Sequence, residues 1–459
     1  MEEGPHTIST EDGFYYPIIV MKSANIETMM VHTDTGKLDY IKESKENSEK
    51  GKVVIYDEQG EKEYLGDMDG FRGRGNATWF SDKLAFQITL SRKMDLFQMG
   101  TGKRWVLLAN HGDPTMLRNK ITFEVAENAG MDYVSDSVYT DLYINDEYYG
   151  VFQLCEKVEV GKERVNISNL EKETESVNGT TKLESYPEVG IKEKNIVEEN
   201  VKPFMNMSYD IQTNPKDITG GYLLEVELLH RFMQDESGFV TRRNQAIHMV
   251  SPTIASKEQV SYIASIWQEF EDAVFAPDGV NPITGKSYEK YIDITSFSKK
   301  YLIEEISKNK DAMYSSQFYY KYPDYISRKL YAGPVWDYDI AYGNNDEGLV
   351  DFYDPNGLYA SMDVEGKNIW YALYFRETFN QSVMNQYYNN IRPLFLQEVY
   401  EKIDSRANQL EPAIIMERIR WKEYSFEDKE QILGEYRNDV IYLKNYIVNR
   451  ISYLDSIWS

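Results

Sequence analysis

The sequence predicts an α+β protein of two lobes, strand-rich in its N-terminal part and helix-rich in its C-terminal part, with a cleft between them. Three observations carry this reading. Short β-branched and aromatic runs fill residues 14–110. Apolar residues recur at helical spacing after residue 256. A charged stretch poor in large apolar residues, 168–219, separates the two. Strands first and helices later is the pattern of an α+β arrangement, and clefts between lobes are where small ligands usually sit.

In chain order, the strand-like runs are FYYPIIVM, KVVIYD, DGFRGRGN, AFQITL and RWVLLAN, with Asp57 to Gly60 supplying a hairpin turn. A helix is predicted from Pro114 to Asn128 on the apolar face Leu117, Ile121, Phe123, Val125 and Ala126, with Gly130 as its stop. SVYTDLYIND and YYGVFQLCEKVEV follow as a hairpin turning at Asn145, Asp146 and Glu147. After the charged stretch, GGYLLEVEL resumes strand character. Ser256 then opens a helix carrying Val260, Ile263, Trp267, Phe270 and Val274. A second helix, from Thr295 to Lys308, carries Phe297, Tyr301, Leu302 and Ile306, and QFYYKY and KLYAGPVW pair after it. The last 80 or so residues are mostly helical, with an apolar stripe at Leu433, Tyr436, Val440, Leu443, Ile447, Ile451 and Leu454 that reads as core. The predicted division is a strand-rich lobe at 1–165, a charged insertion or linker at 166–219, and a helix-rich lobe at 220–459.

Composition excludes several classes. No uninterrupted apolar run reaches the 18 or so residues of a membrane span, and 42% hydrophobic residues describe a soluble globular chain. With 75 acidic against 50 basic residues the net charge is −25, a field that repels nucleic acid and anionic lipid. Cys155 is the single cysteine, which excludes intrachain disulfides and Cys-rich metal sites. Five scattered histidines lack the His-Glu-x-x-His spacing of zinc hydrolases. The start, Met1-Glu-Glu-Gly-Pro, has neither basic n-region nor apolar h-region. An exported chain whose leader had been removed would look the same, so the compartment stays open. Thirty-seven tyrosines and seven tryptophans invite a carbohydrate-binding reading, but many fall on strand and helix faces where packing explains them.

Two phosphate motifs fail on spacing. Gly279 to Ser287 puts five residues between glycines where a P-loop has four, and Pro282 removes an N–H donor. Gly73-Arg74-Gly75 has Thr78 where a dinucleotide fingerprint needs its third glycine. The strongest chemical signal lies at 309–344. Asn309-Lys310-Asp311 follows a helix directly, and Trp336-Asp337-Tyr338-Asp339 follows the hairpin, so strand pairing would bring Asp311 and Asp337 to one end of it. Two close carboxylates repel unless a cation or a shared proton relieves them. Mg²⁺ takes one or two carboxylates and fills its other positions with water and phosphates. Taken alone, Asp-x-Asp in a turn is more often a turn or capping motif.

The runs FRGRGNATW, which begins at Phe71, AFQITL, KRWVLLANHGDPTMLRNKITFEVAENAG, YYGVFQLCEKVEVGKERVNI, GGYLLEVE and GPVWDYDIAYGN resemble the spore-coat CotH kinase family in consistent order, a match that extends from about Phe14 to Asn344. The resemblance implies an atypical protein-kinase-like fold and transfer of the γ-phosphoryl group of ATP, with Mg²⁺, to Ser or Thr of a protein acceptor. Spore coat proteins are the notable acceptors, and related modules occur in bacterial surface and cellulosomal proteins. It therefore implies a spore-coat or cell-surface setting with the leader removed, beside a cytoplasmic one. By the resemblance, Asp311 matches the catalytic-loop aspartate and Asp337 the metal-binding aspartate. Ser316 stands where a kinase catalytic loop commonly has a metal-holding Asn, and Asp339 or water would compensate. For phosphate contact the sequence offers Arg74, Lys83 and Lys157 as rivals, with Arg118 beside them, and Glu156 as the acid of a lysine–glutamate pair. Their plainer reading is as solvated strand ends. Trp336 would stack on adenine or sit in the core. The negative surface suits a basic, Ser-rich acceptor. Two other readings stand beside the kinase: a weak or inactive binding or scaffolding module of surface proteins or polysaccharide, and a related transfer from ATP such as nucleotidylation.

Overall fold

The computed structural model describes residues 2–21, 24, 26–348 and 350–458, and the chain is mixed α+β. It divides into two compact units, each assembled from separate segments: Met1–Lys120, Ser135–Lys157 and Gln397–Asn445 form one, and Ile121–Val134, Val158–Leu396 and Tyr446–Ser459 the other. This partition differs from the contiguous division at 165 and 219, because residues 397–445 pack with the N-terminal strands.

The first unit opens with an antiparallel hairpin of β1 (Gly4–Ser9) and β2 (Tyr15–Val20). Seven strands then close into a barrel. They are β3 (Glu27–Thr33), β4 (Glu49–Tyr56), β5 (Lys62–Arg74), β6 (Ala85–Asp95), β7 (Thr101–Leu108), β8 (Ser137–Ile144) and β9 (Glu147–Glu156). Closure comes from β3 running parallel to β8, with Glu27 opposite Thr140 and Val31 opposite Ile144. The period of two dictates the core: in β4, Gly51, Val53 and Ile55 turn inward while Lys50 and Lys52 face water. Phe71 stacks on Phe86 at 4.7 Å between centroids, and Trp105, Phe152 and Leu154 complete the interior. The predicted turn at 145–147 joins β8 to β9, with Asn145 and Asp146 both at positive φ as a two-residue hairpin demands. The FRGRGNATW corner is a packing device. Gly75 has φ 103°, and a Cβ on Gly73 would stand 2.6 Å from the ring of Trp79.

The second unit is built on an antiparallel sheet in the order β10-β11-β13-β14-β12-β15-β16. These are β10 (Glu188–Gly190), β11 (Asn206–Tyr209), β12 (Tyr222–Glu227), β13 (Gly238–Val240), β14 (Ala246–Ser251), β15 (Gln317–Lys321) and β16 (Leu330–Ala332). The later part of the chain is therefore not helical alone. Residues 166–219 are ordered: Asn169 caps a helix at Leu170–Asn178, and the segment supplies β10 and β11. Ile191, Val201 and Met207 pack there with Phe232, Val240 and Ala246. Its apolar residues lie too far apart to show a period, so the composition reads as a solvated excursion.

The helix Lys257–Phe275 begins at Ser256 as predicted. Ser256 Oγ accepts from Gln259 N, and Gln259 Oε1 accepts from Ser256 N, a complete capping box. Ser256→Ala is expected to cost about 1 kcal/mol in denaturant unfolding, with Ser256→Thr retaining most of it. The helix Ile294–Ser307 buries the predicted Phe297, Tyr301, Leu302 and Ile306, and also Lys300, Glu304 and Glu305. The helix expected from Pro114 begins instead at Arg118. Asp113 accepts from the N–H groups of Thr115 and Arg118 through its two oxygens and holds 113–117 as a turn. In the last helix, Lys429–Trp458, Ile432 is the fully buried residue where the stripe placed Leu433.

Candidate functional site

The helix Ile294–Ser307 ends at Lys308, which turns left-handed with φ 46°. Asn309 follows. Its Oδ1 accepts from Asp311 N at 3.2 Å and starts the short 3₁₀ turn Lys310–Met313 that carries Asp311. Ala312 and Met313 are buried anchors: Trp370 Nε1 donates to Ala312 O, and Tyr359 Oη donates to Lys310 O. Ser316, also at positive φ, leads into β15.

β15 and β16 pair antiparallel with Tyr319 opposite Ala332, as the sequence predicts, and Gly333 N donates back to Phe318 O. This returns the chain to the level of Ser316, whose Oγ donates to Asp337 Oδ2 at 3.3 Å. Asp337 has φ 70°. Unfavourable backbone at Ser316 and Asp337 persists only where the surroundings over-determine it, and such positions cluster at functional sites.

Residues 336–339 alternate between core and half-exposure. Trp336 is 6% exposed and stacked on Phe123 at 5.8 Å, so the structure corrects the adenine-stacking expectation to a core role. Tyr338 is fully buried, and its hydroxyl donates to Glu304 at 2.5 Å. Asp337 and Asp339 are half-buried, and the Asp339 carbonyl accepts from Asn344 Nδ2.

The electrostatics join these turns. Burial, and next the negative charge of Asp337, push the Asp311 carboxyl up to about 7. Glu227, the buried end of β12, belongs to the same field. Burial raises it, with Asp337 adding to the rise, while hydrogen bonds from Leu228 N and Arg231 oppose it. Arg231 Nη1 stands 3.4 Å from Glu227 Oε1, and its charge also favours the ionised form of Asp311. Asp311, Asp337, Glu227 and Arg231 thus share one acidic field with one guanidinium inside it. Among the described residues no group of three His, Cys, Asp or Glu is arranged as a metal cage. A carboxylate pair fits Mg²⁺, which keeps waters and takes few protein ligands.

The basic candidates belong to the barrel unit. Lys83 is fully buried, and Nζ donates to Ala109 O (2.9 Å), Val151 O (2.6 Å) and Glu417 Oε1 (2.7 Å). An ammonium has three protons. All three are committed, so Lys83 is a core residue and not a phosphate contact. The expected lysine–glutamate pair also changes partner: Lys83 pairs with Glu417 of the helix Ile403–Trp421, while Glu156 Oε2 accepts from Asp136 N at the end of β9. Arg118 is buried on Asp113. Arg74 ends β5 and Lys157 follows β9, both half-buried.

Glu227, Arg231 and Glu304 escape a reading of the sequence. The four-residue step from Glu227 to Arg231 is its only local trace. Glu304 falls on the apolar face of its helix, seven residues after Phe297 and four after Lys300, a placement the charge of a carboxylate hides.

A family model described as CotH kinase protein matches residues 71–454. None of the curated proteins matches the chain. With 71–454 covering most of the 459 residues, and with the runs FRGRGNATW and WDYD inside the match, the chain belongs to the CotH kinase family.

Proposed function

We propose that the protein transfers the γ-phosphoryl group of ATP to a Ser or Thr hydroxyl of a protein acceptor. Family membership suggests kinase-like function. The observation that carries the finer reading is the electrostatic coupling of Asp311 to Asp337 at one end of the β15–β16 hairpin. Asp311 orients the acceptor hydroxyl and accepts its proton, a task suited to a carboxyl poised near 7. Asp337 would hold the cation, with Ser316 Oγ fixing its Oδ2. Mg²⁺ held there would neutralise the charge of the phosphates. Arg231 offers further donors to the phosphoryl oxygens from the same field. A chain of net charge −25 favours a basic, Ser-rich acceptor.

The test is label transfer from γ-labelled ATP with Mg²⁺ to a basic Ser-rich protein. Asp311→Asn and Asp337→Asn are each expected to lower incorporation by about 10²–10⁴-fold. Equal incorporation by wild type and both variants would remove this mechanism.

A further inference from the structure

Glu304 is fully buried on the helix Ile294–Ser307. Its Oε1 accepts from Lys300 Nζ at 2.7 Å and from Tyr338 Oη at 2.5 Å. Its Oε2 accepts from Asn309 Nδ2 at 3.1 Å. Lys300 also donates to Tyr338 Oη at 3.2 Å. One carboxylate therefore grips both turns. Asn309 is the residue whose Oδ1 holds Asp311 N, and Tyr338 adjoins Asp337.

Burying an ion pair such as Lys300–Glu304 is costly, and apolar residues of similar volume often serve stability as well or better. What an apolar substitute cannot do is fix two loops in register through directed hydrogen bonds. We infer that Glu304 is a positioning residue, which sets the spacing of Asp311 and Asp337 by bridging Asn309 and Tyr338. The inference rests on the kinase reading for its catalytic consequence, though not for its geometry.

Hydrogen-bond polarity supplies a sharp test. In Glu304→Gln the carboxamide oxygen still accepts from Tyr338 and Lys300, but its NH₂ meets the NH₂ of Asn309. Asn309 cannot turn over without withdrawing its oxygen from Asp311 N. Adding Asn309→Asp restores an acceptor on both sides and conserves total charge. Crystal structures of wild type, Glu304→Gln and the double variant, with a kinetic comparison, read the outcome. Glu304→Gln is expected to move Asp311 relative to Asp337 by about 1 Å and to lower kcat by about 10²-fold with KM for ATP within about threefold. The double variant is expected to return the spacing and at least tenfold of kcat. Tyr338→Phe, which keeps the buried ring, releases the other grip and is expected to lower kcat in the same sense. An unchanged spacing in Glu304→Gln, or a double variant no better than the single one, would overturn the inference. Absence of phosphoryl transfer in wild type would instead overturn the kinase reading, and the crystallographic comparison would still decide the role of Glu304.

Discussion

Asp311→Asn is expected to stabilise the protein at pH 8.5 by about 2–3 kcal/mol in the presence of EDTA, and to leave its stability at pH 4 nearly unchanged. The sign follows from the direction of the shift. Burial and Asp337 push the Asp311 carboxyl from its ordinary 3.8 up to about 7. The folded state therefore holds this proton more tightly than the unfolded chain does. The associated stability is fully present below the unfolded value and is lost as pH rises through about 7. Above that, the folded protein carries an ionised carboxylate facing another negative charge. The carboxamide of the Asp311→Asn variant titrates in neither state, so the gain builds as pH rises from the unfolded value to about 7 and is complete above it. The full shift would correspond to about 4 kcal/mol, and the partial exposure of Asp311 justifies the smaller figure. Asp337→Asn should act in the same direction, and the double variant should gain less than the sum of the two single gains because both relieve one repulsion. Denaturant unfolding at the two pH values reads both single variants and the double one. A variant that loses phosphoryl transfer while gaining stability has given up a functional strain, whereas equal destabilisation at both pH values would mean that Asp311 acts only in packing.

Legibility in the sequence followed the range of the interactions. The strands of the barrel announce themselves through a period of two, and the capped helix at Ser256 through residues three apart. The β15–β16 hairpin, and with it the placement of Asp337 beside Ser316, follows from two adjacent aromatic runs. Lys83 is the opposite case. Its position before a strand reads as a solvated cation, and only the partner 334 residues away makes it a core residue. Glu304 fails for a related reason: a helical carboxylate signals the interior only once Lys300, Asn309 and Tyr338 are known to meet it. Residues 166–219 hide their order because their apolar side chains are widely spaced in sequence and meet only in the fold, among themselves and against β13, β14 and Phe232.

The barrel unit has its own decisive pair. Lys83→Met is expected to cost about 3–5 kcal/mol, since it leaves Glu417 buried without its cation. The side chains are 0% and 8% exposed, and Lys83 Nζ also stands 4.5 Å from the centre of the Phe152 ring. Burial pulls the Lys83 ammonium down and pushes Glu417 up, while the charge of each partner opposes the shift of the other. Removing either one therefore exposes the whole desolvation cost of the survivor. Glu417 Oε2 has a second duty, accepting from Val151 N at 2.8 Å. Full apolar replacement would orphan that N–H, so the compensating change must keep an acceptor. Glu417→Gln does so and sheds the charge. Added to Lys83→Met, it is expected to return about 1–3 kcal/mol of the loss, a coupling typical of residues in contact. A cost below about 1 kcal/mol for Lys83→Met would show that Lys83 is not held as a buried ion, and would restore it as a candidate for a solvent-facing role.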